Sequence, residues 1–160
     1  MSTHAAAAGA AASGRPTTAA PSSDLQAAIA VVGRFLAALE ARRVDEAQAC
    51  LAESARIVGP GGRPASSVAD MVANSSRRYQ RIGKHIEHYD AMTAADGSIT
   101  VYCLGTLHGV WPDGSSFDGI RFIDRFELRD GRITRQDVWN DSAEHRLRRL
   151  ADTDATRRSD

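Results

Sequence analysis

The sequence has little cysteine and no surplus of charge of either sign, and both scarcities narrow what it can do. Two cysteines, Cys50 and Cys103, occur in 160 residues, with no metal-ligand spacing. A reduced, cytoplasmic protein with two buried thiols and no bound metal is expected. Lys and Arg number 20, as do Asp and Glu. A neutral chain has no net attraction for nucleic acid or an anionic membrane, so neither partner is expected. Long hydrophobic runs are missing too. Stretches such as Ala27 to Val32 fall far short of a bilayer span. No phosphate loop, zinc motif or nucleophile elbow is present, and no cofactor is expected. The run Gly59 to Gly62 has no Lys or Ser/Thr where a phosphate loop needs one.

What is present fits one domain with one core. Residues Met1 to Ser22 are rich in Ala, Gly, Ser, Thr and Pro. They lack the basic start and the Leu/Val-rich centre of a secretion signal, and a disordered tail is expected. Ser23-Asp24-Leu25-Gln26 fits a capping box, and Ile29, Val32, Phe35, Leu36 and Leu39 follow at helical spacing. This helix should end near Ala41. A second short helix is expected over about Asp45–Leu51, a short strand over Ala55–Val58, and a third helix from a Ser67 cap to about Arg81. Gly59-Pro60-Gly61-Gly62 breaks regular structure between them.

From His85 the pattern changes to strands. Asp-Gly recurs in Ala95-Asp96-Gly97-Ser98, Trp111-Pro112-Asp113-Gly114 and Arg129-Asp130-Gly131-Arg132, each time between segments rich in Val, Ile, Tyr and Phe. Four antiparallel strands are expected: about His85–Ala94, Ile99–Trp111, Ser116–Leu128 and Arg132–Asn140. Two are long, so the sheet must twist and bend. Helices first and a meander second give an α+β fold with helices on one sheet face. The end, Ser142 to Asp160, should hold one helical turn and otherwise fray. The domain is thus placed at 23–150, between tails 1–22 and 151–160.

This order of elements resembles the nuclear-transport-factor-2-like superfamily, and within it the SnoaL-type polyketide cyclases and ketosteroid-isomerase-like enzymes. The resemblance runs from about Leu25 to Asn140. It is carried by Arg34-Phe35-Leu36, by Ala55 through Pro60, and by Phe122-Ile123-Asp124-Arg125-Phe126-Glu127-Leu128 with Val138-Trp139-Asn140-Asp141. It implies a cone-shaped, curved antiparallel sheet packed against three N-terminal helices around a pocket for a small hydrophobic molecule. It also implies a homodimer through the outer sheet face, where Trp139 should lie.

Similarity to ketosteroid isomerase places Asp124 at that family's protonated, oxyanion-binding aspartate. Phe122 and Phe126 then face inward, as do Gln136, Val138 and Asn140 on the last strand; the opposite parity would bury Arg125 and Glu127. In the middle hairpin, a type I turn with a glycine bulge would pair Trp111 with Ser115. Counting back sets His108 opposite Asp118, Leu104 opposite Phe122 and Tyr102 opposite Asp124. Tyr102, Leu104, Thr106 and His108 would then line the cavity. A plain two-residue turn would shift the register by one and turn His108 outward.

Four residues emerge as candidate catalytic groups. Asp124, a lone carboxyl between two phenylalanines, would hold its proton and donate a hydrogen bond shared with Tyr102. His108, oriented by Asp118, would abstract a proton beside a carbonyl. Each has a plainer reading: Asp124 as a carboxylate paired with Arg125 or Arg121 near the sheet rim, and His108 with Asp118 as a solvated cross-strand ion pair. Of His85 and His88, one at most can reach the cavity; His85 is taken as the substrate-binding one, with Phe35, Leu104, Thr106, Phe122, Phe126, Gln136, Val138 and Asn140. The resemblance also shows gaps. Gly59 stands where ketosteroid isomerase has its base and Phe35 where it has its tyrosine. Val138 stands where limonene epoxide hydrolase has its aspartate. The expected activity is cofactor-independent acid–base chemistry (isomerisation, dehydration or cyclisation) on a carbonyl-bearing metabolite. The alternatives are a non-catalytic binding or dimerisation module and, less so, an epoxide hydrolase needing Glu40 to reach inward.

Overall fold

The structure, a computed structural model, describes residues 22–157. The disordered tail expected over 1–22 therefore lies, save Ser22, outside the described residues. Helix α1 spans Ser23–Glu40 and is capped by Ser22, whose Oγ accepts from Leu25 N at 3.5 Å, one residue upstream of the expected cap. Its buried positions Ala28, Val31, Val32, Phe35 and Leu36 recur at helical spacing and form one face. The chain continues as α2 (Val44–Ala49), β1 (Leu51–Gly59), β2 (Arg63–Ala65), α3 (Val68–Ser76), β3 (Arg81–Thr93), β4 (Ile99–Val110), β5 (Ser116–Arg129), β6 (Arg132–Asn140) and α4 (Ser142–Arg157). The strands make one six-stranded sheet in the order β2-β1-β6-β5-β4-β3, with β1 parallel to β6 and every other pair antiparallel. The α+β architecture is as expected; β2 and the parallel pairing are additions to it.

Two hairpin loops share one geometry because they share Asp-Gly-Ser. In each, the aspartate Oδ1 accepts from the serine N at 3.0 Å, and the glycine has positive φ, +80° at Gly97 and +85° at Gly114. Trp111 N donates to Ser115 O at 2.9 Å, so the middle turn is the bulged type I form. The third turn is a two-residue one, with Arg129 facing Arg132 and both Asp130 and Gly131 at positive φ.

The sheet bends where β4 carries Gly105 and Gly109. Each lies beside a break in register, one between Ile86 and His88 on β3 and one at Asp118-Gly119 on β5. Glycine is required at both. A Cβ on Gly105 would sit 2.0 Å from the His85 carbonyl oxygen, and one on Gly109 would sit 2.1 Å from that of Arg81. Helix α1 fills part of the resulting concavity. Val32 and Phe35 pack there against Val101, Phe126 and Ile133, all fully buried, with Phe35 edge-on to Phe126 at 6.0 Å.

Two expectations fail at helix ends. Helix α3 stops at Ser76 rather than Arg81. Ser76 Oγ donates back to Val72 O at 2.9 Å, and Tyr79 leaves the helix to stack on Trp111 and Phe117 at 5.3 and 5.5 Å. At the other end, the single turn and frayed 151–160 tail give way to a helix reaching Arg157. Its start is fixed by Ser142, buried and bonded to the Tyr79 hydroxyl at 2.7 Å, and Arg146 and Arg149 lie over the Trp111 ring. Of the two thiols expected to be buried, Cys103 is and Cys50, at the end of α2, is half-exposed.

Candidate functional site

A cavity of about 300 Å³ opens between the sheet's concave face, the end of α1, α3 and β2. Its floor is built by β4, β5 and β6: Leu107, Phe122, Gln136, Val138 and Asn140 line it, with Lys84 from β3. Beneath that floor Asp124 is fully buried and forms an ion pair with Lys84 Nζ. Gln136 Nε2 donates to the same carboxylate oxygen at 3.3 Å. Lys84 Nζ also lies 4.0 Å from the centre of the Phe122 ring. A buried carboxylate is costly without a counter-charge, and the ammonium supplies it. The lone carboxyl expected at Asp124 is thus corrected to half of an ion pair whose other half touches the cavity. Asp124 Oδ1 and Gln136 Oε1 have no hydrogen-bond partner among the described residues. Of these two acceptors, Gln136 Oε1 belongs to a side chain that lines the floor and stands ready for a donor.

Lys84 was not among the residues singled out by sequence, because the strand was expected to begin at His85. One signal pointed to it. It is the sole lysine of the chain, every other of the 20 basic residues being arginine. Its ammonium is a compact point charge on a flexible stem, with three donors to share between the carboxylate and the ring face.

The β5 and β6 residues expected to face inward do so, but the β4 set does not. The turn register is as anticipated; the Asp118-Gly119 bulge, with Gly119 at φ +74°, then adds one residue to β5. Asp124 consequently pairs with Cys103, and Phe122 with Gly105. Val101, Cys103 and Leu107 face inward, while Tyr102, Leu104, Thr106 and His108 point to the outer face. There Tyr102 stands in register with Arg125, and His108 stacks on exposed His85 with ring centres 4.1 Å apart. Asp118, expected opposite His108, is exposed and accepts from Gly119 N at 2.7 Å instead. The structure therefore brings Asp124, Phe122, Gln136, Val138 and Asn140 together and leaves Tyr102, Leu104, Thr106, His108, Asp118 and His85 outside the cavity. Phe35 and Phe126 belong to the packed core below it. Asn140 has a second task, its Oδ1 accepting from Ser142 N at 3.1 Å at the head of α4. Glu40 approaches Gly83 and His108 at the sheet edge rather than the cavity: its Oε1 lies 2.7 Å from where a Gly83 Cβ would stand.

Cys103, across from Asp124, is an inert thiol. Burial pushes it up to about 12, Lys84 opposes the shift, and the Asp124 charge adds to it. Burial, with Cys103 next to it, likewise pushes Tyr89 up to about 12. Both groups have folded values above their unfolded ones of 9.0 and 10.0, so the unfolded chain loses these protons first. Their contribution is fully present below pH 9 and is lost as pH rises toward 12. Stability should therefore decline from about pH 9, where the unfolded Cys103 thiol ionises, and more steeply above about pH 10, where Tyr89 joins it. Urea titrations at stepped pH check this; the slope should be shallower in Tyr89→Phe, and an identical slope would contradict the assignment.

Among the described residues no cluster of His, Cys, Asp and Glu could hold a metal, and no helix is long and apolar enough to cross a membrane. No curated protein matches this sequence. Solved structures do match in fold. A nuclear-transport-factor-2-like protein of unknown function from Burkholderia pseudomallei is 16% identical with a TM-score of 0.61, over 74% of this chain and 94% of that one. A candidate polyketide cyclase from Xanthomonas campestris pv. campestris is 19% identical with a TM-score of 0.56, over 73% and 92%. TerC, co-crystallised with polyporic acid, is 16% identical with a TM-score of 0.62, over 76% and 96%. The family profile described as SnoaL-like domain matches residues 32–136, more than half the chain. With the bent sheet, the helix laid in it and the cavity between them, that match makes the chain a member of the SnoaL-like family of the nuclear-transport-factor-2-like superfamily.

Proposed function

We propose that the protein is a cofactor-independent enzyme that stabilises the enolate of a small, hydrophobic, carbonyl-bearing metabolite of polyketide-like character, and so promotes isomerisation, dehydration or aldol-type cyclisation. The observation that supports this most is Lys84, a cation at the wall of an apolar cavity held in place by a buried carboxylate. In a 1,3-dicarbonyl compound the central C–H is already acidic. As its proton passes to solvent water, the bonding pair moves into the C–C bond and onto the carbonyl oxygen. Lys84 Nζ is the group to meet that developing charge, and a preoriented cation in an apolar site is worth far more than one in water. The enolate carbon can then attack a second carbonyl of the folded chain, with the new alkoxide protonated from solvent. Gln136 and Asn140 would orient the oxygens, and Phe122 and Val138 the carbon skeleton. The polyketide-cyclase assignment of one fold neighbour and the small molecule held by another support the substrate class.

Benzoylacetone tests this by its enolate absorption band. Bound to the wild-type protein, it should ionise at least about one pH unit below its own value, a tenfold preference for the enolate. In Lys84→Met that shift should vanish. An unshifted ionisation in the wild type would contradict the proposal. A second reading, a non-catalytic binding module, is supported by Gly59 and Val138, which line the cavity at positions where related enzymes carry ionisable groups. It predicts benzoylacetone binding with the shift absent in both proteins.

We also propose a homodimer through the outer sheet face. There Leu104, Ile123 and Trp139 stand in register across three strands, with Trp139 52% exposed. Sedimentation should show a dimer that Trp139→Glu converts to monomer; a wild-type monomer at 100 μM, about a hundred times a typical micromolar Kd, would overturn it.

A further inference from the structure

The cavity's charge is one-sided although the chain as a whole is neutral. Arg63, Arg77, Arg78 and Lys84 line it, and no aspartate or glutamate does. The guanidiniums come from two separate elements, Arg63 from β2 and the other two from the segment following α3, and Arg63 and Arg77 stand on the exposed side of the cavity. Arg78 is committed, donating to the Tyr79 hydroxyl at 3.1 Å. Arg63 and Arg77 are exposed and form neither an ion pair nor a side-chain hydrogen bond with any described residue. On the strand floor of the hollow, fully buried Gln136 keeps an acceptor with no partner. The lining thus joins a buried, unpartnered acceptor on the floor to exposed cations, with no carboxylate among the lining residues.

We infer that the ligand is two-ended: an enolisable carbonyl or hydroxyl group at the Lys84–Gln136 floor and a carboxylate at the mouth, held by Arg63 and Arg77. Planar guanidinium donors match a carboxylate in paired hydrogen bonds, which a neutral ester or amide cannot reproduce. The mouth is open to solvent, so this recognition weakens as salt rises, whereas contacts at the floor do not. The inference rests on the cavity being the ligand site and adds the chemical class of the far end of the substrate.

The test is calorimetric titration with 4-acetylbenzoate and with methyl 4-acetylbenzoate, which differ only in the charge at the end away from the ketone. At 50 mM salt the acid should bind at least about tenfold more tightly than the ester, and the gap should close at 500 mM. In Arg63→Gln/Arg77→Gln the preference should disappear while ester affinity stays the same, which also shows that the variant is folded. Val138→Trp, which fills the cavity, should weaken both probes. Equal affinity for acid and ester, with both lost in Val138→Trp, overturns this inference and leaves the cavity reading standing. Failure of both probes to bind, or binding that Val138→Trp leaves unchanged, overturns the cavity reading and this inference with it.

Discussion

Lys84→Met should cost about 3–5 kcal/mol of folding stability. It leaves the fully buried Asp124 carboxylate with one hydrogen bond, from Gln136 at 3.3 Å, and no counter-charge. Removing the charge as well, in Lys84→Met/Asp124→Asn, should return most of the loss, because the cost lies in the unpaired ion rather than in the missing attraction. Denaturant titration of the wild type, both single variants and the double variant separates the two terms by a thermodynamic cycle. A loss below about 1 kcal/mol in Lys84→Met would place the pair in solvent, contrary to its burial. The double variant matters for function too. It should be nearly as stable as the wild type yet unable to favour an enolate, which separates the ion pair's structural work from its chemical work.

The second large effect concerns the bend that makes the hollow. Gly105→Ala should destabilise the protein by about 2–4 kcal/mol and break the β3–β4 ladder around His85. The new methyl would meet backbone, the His85 carbonyl oxygen at 2.0 Å and Glu87 N at 3.1 Å, and backbone in a paired strand cannot give way cheaply. Gly61→Ala is the control. It lies at φ +75° with nothing within 4 Å of a Cβ, so only the local conformational penalty of about 1–2 kcal/mol applies. Hydrogen exchange should show the amides of Ile86 to Tyr89 deprotected in Gly105→Ala and unchanged in Gly61→Ala. Equal effects of the two substitutions would mean that the sheet bends by some means other than close approach at Gly105.

The fold was legible because its signals are local. Three Asp-Gly turns fixed the hairpins, and β6 was placed residue for residue at Arg132–Asn140. The inward face of β5 followed from the similarity to ketosteroid isomerase at Asp124, and charge placement supported it, since Asp124, Phe122 and Phe126 alternate with Arg125 and Glu127. The β4 register failed for a physical reason that one residue carries. The turn at Trp111–Ser115 was read correctly, but Asp118-Gly119 holds one residue more than the strand opposite. A glycine inside an otherwise regular strand is the sign of such a bulge, and Gly119, followed by the switch of buried residues from Phe117 to Ile120, carried it. That single residue moved four expected cavity residues to the outer face and turned Cys103 inward in place of Tyr102. Helix α4 was underestimated because its sequence is strongly polar; what fixes it is long-range, through Ser142 to Tyr79 and through arginines on Trp111. Lys84 lay one residue before the expected strand start, so no alternation argument reached it.

The uniqueness of that lysine makes the central claim directly measurable. With ¹⁵N-lysine incorporated, Lys84 Nζ gives one side-chain ammonium resonance, which can be followed while benzoylacetone is added. If the cavity above the Lys84–Asp124 pair is where carbonyl ligands are held, that resonance should move to saturation with the same Kd as the enolate band, and Phe122→Ala should weaken both together. A resonance that stays fixed while the ligand demonstrably binds would place the chemistry elsewhere on the protein and contradict the account.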